Sequence, residues 1–250
     1  MPPAPPLAYL HGWLGHRRDW DTVRTRLPGL ALDLPGHGDA LGLAPEAYTL
    51  DAAADAVVAA LNAAGLERPV LVGYSMGGRV AMTAALRHPG FFRALVLESA
   101  SPGLRSPAER TARLAVDIER AARLEADPAS FLADWYRMPL FASLAIEPGR
   151  VDALVAERLR GNAAEQARAL RGLSVGHQPS YWERLDAFPP TLALAGALDA
   201  KYAALVTTMG ETSNVTARLI PDAGHTVHFE QPDAFVAVLQ DWLATLPDAA

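Results

Sequence analysis

The sequence predicts an α/β fold: a mostly parallel sheet with helices on both faces and an inserted helical lid. Three observations carry this. Short apolar runs bounded by turn residues alternate with stretches of helical periodicity, as in repeated βαβ units. The alternation stops near residue 103 and resumes near 186, with only helical patterning between. Gly73-Tyr74-Ser75-Met76-Gly77 stands between an apolar run and a helical stretch, where a sharp strand-to-helix turn would expose a serine. The expected organisation is a first part of the core over residues 1–103, a helical lid over 104–185, and a second part of the core over 186–250.

Each element has its own justification. Residues 7–10 are a short apolar strand, followed by the loop His11-Gly12-Trp13-Leu14-Gly15. A second strand over 30–33 ends at Pro35-Gly36-His37-Gly38, whose Pro-Gly and His-Gly pairs force a turn. Residues 50–64 carry Ala54, Val57, Val58 and Leu61 on one helical face, and Gly65 stops the helix. Then come a strand over 70–72, a helix over 78–88 and a strand over 94–98. Helices are expected over 108–126, 129–136 and 150–173. Strands return over 191–196 and 215–220. A final helix over 233–246 turns Phe235, Val238, Leu239, Trp242 and Leu243 towards the core.

Glycines on either side of Ser75 suit a strained turn in which helix and strand cross closely, with the hydroxyl at the positive end of a helix. A serine hydroxyl needs a histidine in reach and an acid behind it. In open α/β sheets such partners sit just past the C-terminal ends of strands. Asp199 follows the strand over 191–196, and His225 follows the strand over 215–220. Asp222 rivals Asp199, and His228 competes with His225 but is expected to open the last helix. His11 and His37 read as loop braces. Backbone N–H groups of Trp13 and Met76, from the loop after the first strand and from the residue after the serine, are the expected oxyanion donors.

Composition narrows the function. With 250 residues, half of them hydrophobic, the chain can build one large core. No apolar run is long enough to span a membrane. The proline-rich start, residues 1–6, lacks the basic and apolar segments of a signal peptide. Cysteine is absent, which excludes disulfides and fits a cytoplasmic protein. No zinc-like spacing and no phosphate loop occur, so no metal or cofactor is expected. A net charge of −6 argues against a nucleic-acid partner. Of the 22 basic residues, 21 are arginine, and Lys201 is the single lysine. Eleven of them fall between Arg105 and Arg171, in a segment with 10 acids, so an anionic ligand could be attracted there locally.

The chain resembles the α/β-hydrolase superfamily throughout. Within it, the chain is similar to the 2-succinyl-6-hydroxy-2,4-cyclohexadiene-1-carboxylate synthases, lyases of menaquinone (vitamin K2) biosynthesis. The stretches that carry the likeness are Leu10-His11-Gly12-Trp13-Leu14-Gly15 with Asp19-Trp20, Gly73-Tyr74-Ser75-Met76-Gly77-Gly78-Arg79, and Trp135-Tyr136-Arg137-Met138-Pro139-Leu140-Phe141-Ala142-Ser143-Leu144. They continue with Ser174-Val175-Gly176-His177-Gln178-Pro179-Ser180-Tyr181-Trp182, Asp199-Ala200-Lys201-Tyr202, and Gly224-His225-Thr226-Val227-His228-Phe229-Glu230.

The resemblance implies a small-molecule substrate with three carboxylates and a reaction that removes a carbonyl-activated proton and expels pyruvate. Ser75, His225 and Asp199 would then act as a proton-abstracting relay, and arginines would hold the carboxylates. It points to Arg79, Arg113 and Arg160 as those clamps, with Arg110 and Arg120 as rivals of Arg113 and Arg158 as the alternative to Arg160. Tyr74 and Trp135 would line the pocket. Two other readings stay open: an ester or thioester hydrolase working through an acyl-serine, and a catalytically silent binding module.

Overall fold

A computed structural model describes residues 5–247. Six strands form one sheet in which every pairing is parallel: β1 (Leu7–Leu10), β2 (Gly29–Leu32), β3 (Val70–Tyr74), β4 (Ala94–Glu98), β5 (Thr191–Gly196) and β6 (Val215–Ile220), in the order β2-β1-β3-β4-β5-β6. β1, β4 and β5 are buried along their whole length. That is why they read as continuous apolar runs rather than alternating ones: a parallel sheet is covered on both faces.

The helices are α1 (Asp21–Arg24), α2 (Leu50–Ala63), α3 (Met76–Arg87), α4 (Pro107–Ala126), α5 (Pro128–Trp135), α6 (Arg150–Arg158), α7 (Ala163–Gly172), α8 (Ala200–Met209), α9 (Val227–Glu230) and α10 (Pro232–Leu243). One core joins the sheet to α2, α3 and α8 through residues such as Leu61, Met82 and Met209. The other joins the opposite face to α10 through Phe235, Leu239 and Trp20. A third apolar cluster holds α4–α7 together around Leu124, Phe131, Phe141 and Leu170, and takes in Leu14 from the loop after β1. The helical segment between β4 and β5 is thus tied to the sheet beside that loop. Among the described residues no helix is long and apolar enough to cross a membrane.

Departures from the expected elements have local causes. The helix expected over 150–173 is two helices, because Arg160 and Gly161 leave the helical path and Asn162 caps α7, its side chain accepting the Glu165 N–H at 3.1 Å. α3 starts at Met76, two residues earlier than expected, since the turn at Ser75 leads straight into it. β3 likewise runs on to Tyr74. His228 lies in the short helix α9 that opens the last helical region, and α10 restarts at Pro232 with proline in its first turn. Helices α1 and α8 and a 3-10 stretch over Pro139–Ile146 had no expected counterpart. Of the proline-rich start, residues 1–4 lie outside the described residues.

Candidate active site

β1 and β3 are neighbours, but the chain leaves β1 towards β2 on one side and later extends the sheet from β3 on the other. The crevice at such a switch point is where open α/β sheets bind ligands. The loop after β1 and the turn after β3 meet there.

The turn at Ser75 is backbone-strained. Its φ is 50° and ψ −106°, outside the ordinary regions for a side-chain-bearing residue, at a cost of about 1–3 kcal/mol. Glycines make it possible. A Cβ on Gly77 would sit 2.5 Å from the Leu10 carbonyl oxygen, and one on Gly73 would sit 2.6 Å from the Gly77 carbonyl oxygen and the Gly78 nitrogen. A Cβ on Gly78 would sit 2.4 Å from that of Ala100. The Ser75 N–H is tied to the Glu98 carbonyl at 2.8 Å, which pins the turn to β4.

His225 Nε2 lies 3.3 Å from Ser75 Oγ, and its Nδ1 lies 2.7 Å from Asp199 Oδ2. Asp199 caps α8, its Oδ1 accepting the Tyr202 N–H at 3.2 Å, so both carboxylate oxygens are engaged. Asp222, the rival acid, is an exposed turn residue with φ 56°. His228 is taken up elsewhere: buried Glu98 accepts from its backbone N–H and its Nδ1. The His225 ring sits among Tyr74, Phe141 and Tyr202.

The loop carrying Trp13 is held by a reciprocal pair of neutral imidazoles. His11 Nε2 accepts the Leu34 N–H at 3.0 Å, and His37 Nε2 accepts the Leu14 N–H at 3.1 Å. Each ring donates its other N–H to a nearby carbonyl, Gly12 for His11 and Pro35 for His37. Burial lowers both pKa values, that of His37 to about 3, with His11 adding repulsion. Among the described residues the Trp13 N–H has no acceptor, and Met76, the first residue of α3, has no acceptor inside its helix.

A cavity of about 610 Å³ opens over the serine. Trp13, Tyr74, Ser75, Met76, Arg79, Arg113, Trp135, Asp199 and His225 all line it. Tyr74 packs so closely on Gly12 that a Cβ there would lie 2.5 Å from its ring. Trp135 stands edge-on to Trp13, with ring centroids 4.9 Å apart. Arg160 is not in the cavity. It falls in the break after α6, its side chain 77% exposed and paired with Glu157. Arg158, in the last turn of α6, faces inward and lines the cavity instead. Arg120 lines it beside Arg113, whereas Arg110 turns away to the Leu104 carbonyl.

Five cationic side chains therefore line the cavity: Arg79, Arg113, Arg120, Arg158 and Lys201. Asp117, wholly buried on α4, accepts from Arg113 Nε at 2.8 Å, Arg120 Nη1 at 3.1 Å and Ser174 Oγ at 2.7 Å. Asp19 takes both terminal nitrogens of Arg158, at 2.8 and 2.7 Å. Burial alone would raise the Asp19 carboxyl, but Arg158 outweighs it and holds the carboxyl below its usual range. Arg79 donates to the Leu173 carbonyl at 2.6 Å and has no carboxylate within reach among the described residues. Burial and the nearby Arg113 push its guanidinium down to about 10. Asp117 and Lys201 were not foreseen. The placing of Asp117 between arginines at i−4 and i+3 is a readable sign of a charge-organising acid; a single lysine is not.

Residues 7–238 match the family described as "Alpha/beta hydrolase family". A Serratia proteamaculans protein named 2-succinyl-6-hydroxy-2,4-cyclohexadiene-1-carboxylate synthase is 38% identical over 245 residues, covering 96% of this chain and 93% of its own length. A Bacillus subtilis protein with the same name, given as putative, is 33% identical and covers 95% and 89%. The solved structure of MenH from S. aureus superimposes with a TM-score of 0.90 at 32% identity, covering 98% of this chain and 95% of that one. A thermophilic esterase from Thermogutta terrifontis, with malate bound, reaches 0.80 at 26%, covering 97% and 90%.

Two outcomes follow from the buried groups. Arg158→Met takes the guanidinium from a largely buried Asp19 carboxylate and leaves it only the His16 contacts, so denaturant unfolding should show a loss of up to about 3–5 kcal/mol; an unchanged midpoint would dismiss the pair as a structural tie. His37 must stay neutral when folded but takes a proton near pH 6.5 when unfolded. Its folded pKa is depressed, so the unfolded state binds more protons between about pH 3 and 6.5, and stability should fall as pH drops through that window. Thermal unfolding at pH 7 and pH 5 checks this, with His37→Gln expected to flatten the dependence.

Proposed function

The chain belongs to the alpha/beta hydrolase family and, within it, to the 2-succinyl-6-hydroxy-2,4-cyclohexadiene-1-carboxylate synthases, and from that premise we propose that it eliminates pyruvate from 2-succinyl-5-enolpyruvyl-6-hydroxy-3-cyclohexene-1-carboxylate. The observation that carries the reading is the charge of the cavity. Five cations line it and two buried carboxylates, Asp117 and Asp19, pair with them. Three positive charges are left over, and the substrate brings three carboxylates. Asp199 is engaged with His225 and does not enter that balance.

In this reading Ser75 Oγ is the general base. It removes the substrate proton activated by the succinyl carbonyl and passes its own proton to His225 Nε2, while Asp199 holds the imidazole through Nδ1. The Trp13 and Met76 N–H groups stabilise negative charge that develops on the carbonyl oxygen, each worth about 3 kcal/mol in comparable sites. Electrons then move through the ring, the bond between ring C5 and the ether oxygen breaks, and the enolate of pyruvate leaves; it takes up one proton, matching the one removed from the ring, so that Ser75 and His225 return to their starting state. Arg79, one turn beyond Ser75 on α3, and Arg113 hold carboxylates through free guanidinium nitrogens. Tyr74 and Trp135 wall the ring. The segment over residues 104–185 serves as the lid, which brings Arg113 and Trp135 over the serine.

An acyl-serine hydrolase is the second reading, and the triad geometry by itself would serve it. The uncompensated cations do not call for it: ester hydrolysis forms one oxyanion, which two N–H groups suffice to hold.

Incubation with the enolpyruvyl substrate tests the proposal. Pyruvate and the conjugated diene should appear in equal amounts, and Ser75→Ala should slow both by roughly 10²–10⁴-fold while leaving substrate binding nearly intact. Hydrolysis of simple esters without pyruvate release would decide for the second reading. Arg79→Met should lower kcat/KM by the equivalent of about 2 kcal/mol; an unaltered kcat/KM would remove Arg79 from the site.

A further inference from the structure

Lys201 is the other cavity cation that no carboxylate approaches within salt-bridge distance among the described residues. Its backbone is fixed relative to the triad. It lies in the first turn of α8, two residues after Asp199, and Asp199 ties that turn to His225 by accepting from both Tyr202 N–H and the imidazole. Its tip is placed as well. The Tyr202 ring lies 4.6 Å from the His225 ring, and Lys201 Nζ stands 5.3 Å from the centre of that same Tyr202 ring. The ammonium is therefore one aromatic ring away from the catalytic imidazole.

Its electrostatic surroundings are those of a cation awaiting an anion. Burial and then Arg113 lower the Lys201 pKa, and Asp199 only partly offsets them. Arg113 also repels Arg79. Two like charges that face one cavity gain from a carboxylate placed between them. Arg158 cannot fill this role as it stands, because Asp19 already occupies both of its terminal nitrogens. A compact ammonium complements a planar guanidinium here: the arginine fixes the plane of a carboxylate, and the lysine adds charge from a second direction.

We propose that Lys201 is a substrate-binding residue that shares one carboxylate of the substrate with Arg113, an assignment that rests on the lyase reading above. The pair would anchor that carboxylate between α8, which carries Lys201, and α4, which carries Arg113.

The test is steady-state kinetics of pyruvate release for Lys201→Met, Lys201→Arg, Arg113→Met and the double variant. Lys201→Met should raise KM about tenfold or more, with kcat within about threefold, as for a lost charged hydrogen bond. Lys201→Arg should recover most of the loss. Because the Lys201 side chain makes no hydrogen bond or ion pair among the described residues, thermal unfolding of Lys201→Met should match the wild type. If the two cations share one carboxylate, the double variant should lose less than the product of the single losses. An unchanged KM in Lys201→Met, or strictly multiplicative losses, would overturn the proposal while leaving the lyase reading intact. Absence of pyruvate release by the wild type would overturn both.

Discussion

The site hangs on the backbone at one residue. Ser75 is held at φ 50°, a conformation a side-chain-bearing residue adopts only under constraint. The constraint is supplied by three glycines that let α3, β3, the Leu10 end of β1 and Ala100 approach within contact distance. From that turn the rest follows. The serine stands at the start of α3, Met76 becomes the first helical residue with its N–H free, and Arg79 rises one turn later on the same helix. The partners arrive from the ends of β5 and β6, and the second donor from the end of β1. A Cβ at position 77 alone would force Leu10 and the elbow apart, and with them the two expected oxyanion donors.

Charge is managed in two ways around this turn. Some cations are neutralised and used as structure: Asp19 fixes Arg158 under the loop after β1, and Asp117 holds Arg113 and Arg120 in register on α4. Others have no counter-charge among the described residues. Arg79 is deep enough that burial and Arg113 bring its guanidinium down to about 10, yet it remains charged at neutral pH. Crowded cations in a partly desolvated cavity raise the free energy of the unliganded protein, and a polyanionic ligand relieves it. In the proposed lyase reaction the same residues hold a tricarboxylate and have little use for a neutral ester.

Much of this was legible in the sequence because it rests on local rules. The strands Leu7–Leu10, Ala94–Glu98, Thr191–Gly196 and Val215–Ile220 lie where apolar runs end at turn residues. Ser75, Asp199 and His225 meet because each follows a strand of one parallel sheet, and strand ends converge. What was not legible depends on which way a helix turns. Arg158 and Arg160 are two residues apart, so they point to different sides, and only the break before Asn162 decides that Arg158 faces the cavity. The resemblance that points to Arg160 could not resolve that. Lys201 stands out in the sequence only as the single lysine; its place near His225 comes from the packing of Tyr202 against that imidazole, a tertiary contact with no periodic trace in the sequence.

In the proposed reaction Ser75 works as a base and forms no bond to the substrate. Intact-protein mass spectrometry during steady turnover of the enolpyruvyl substrate tests it most directly. The protein should keep its unmodified mass while pyruvate accumulates. A substrate-derived adduct that maps to Ser75, forms and decays at the rate of turnover, and is lost in Ser75→Ala would contradict it.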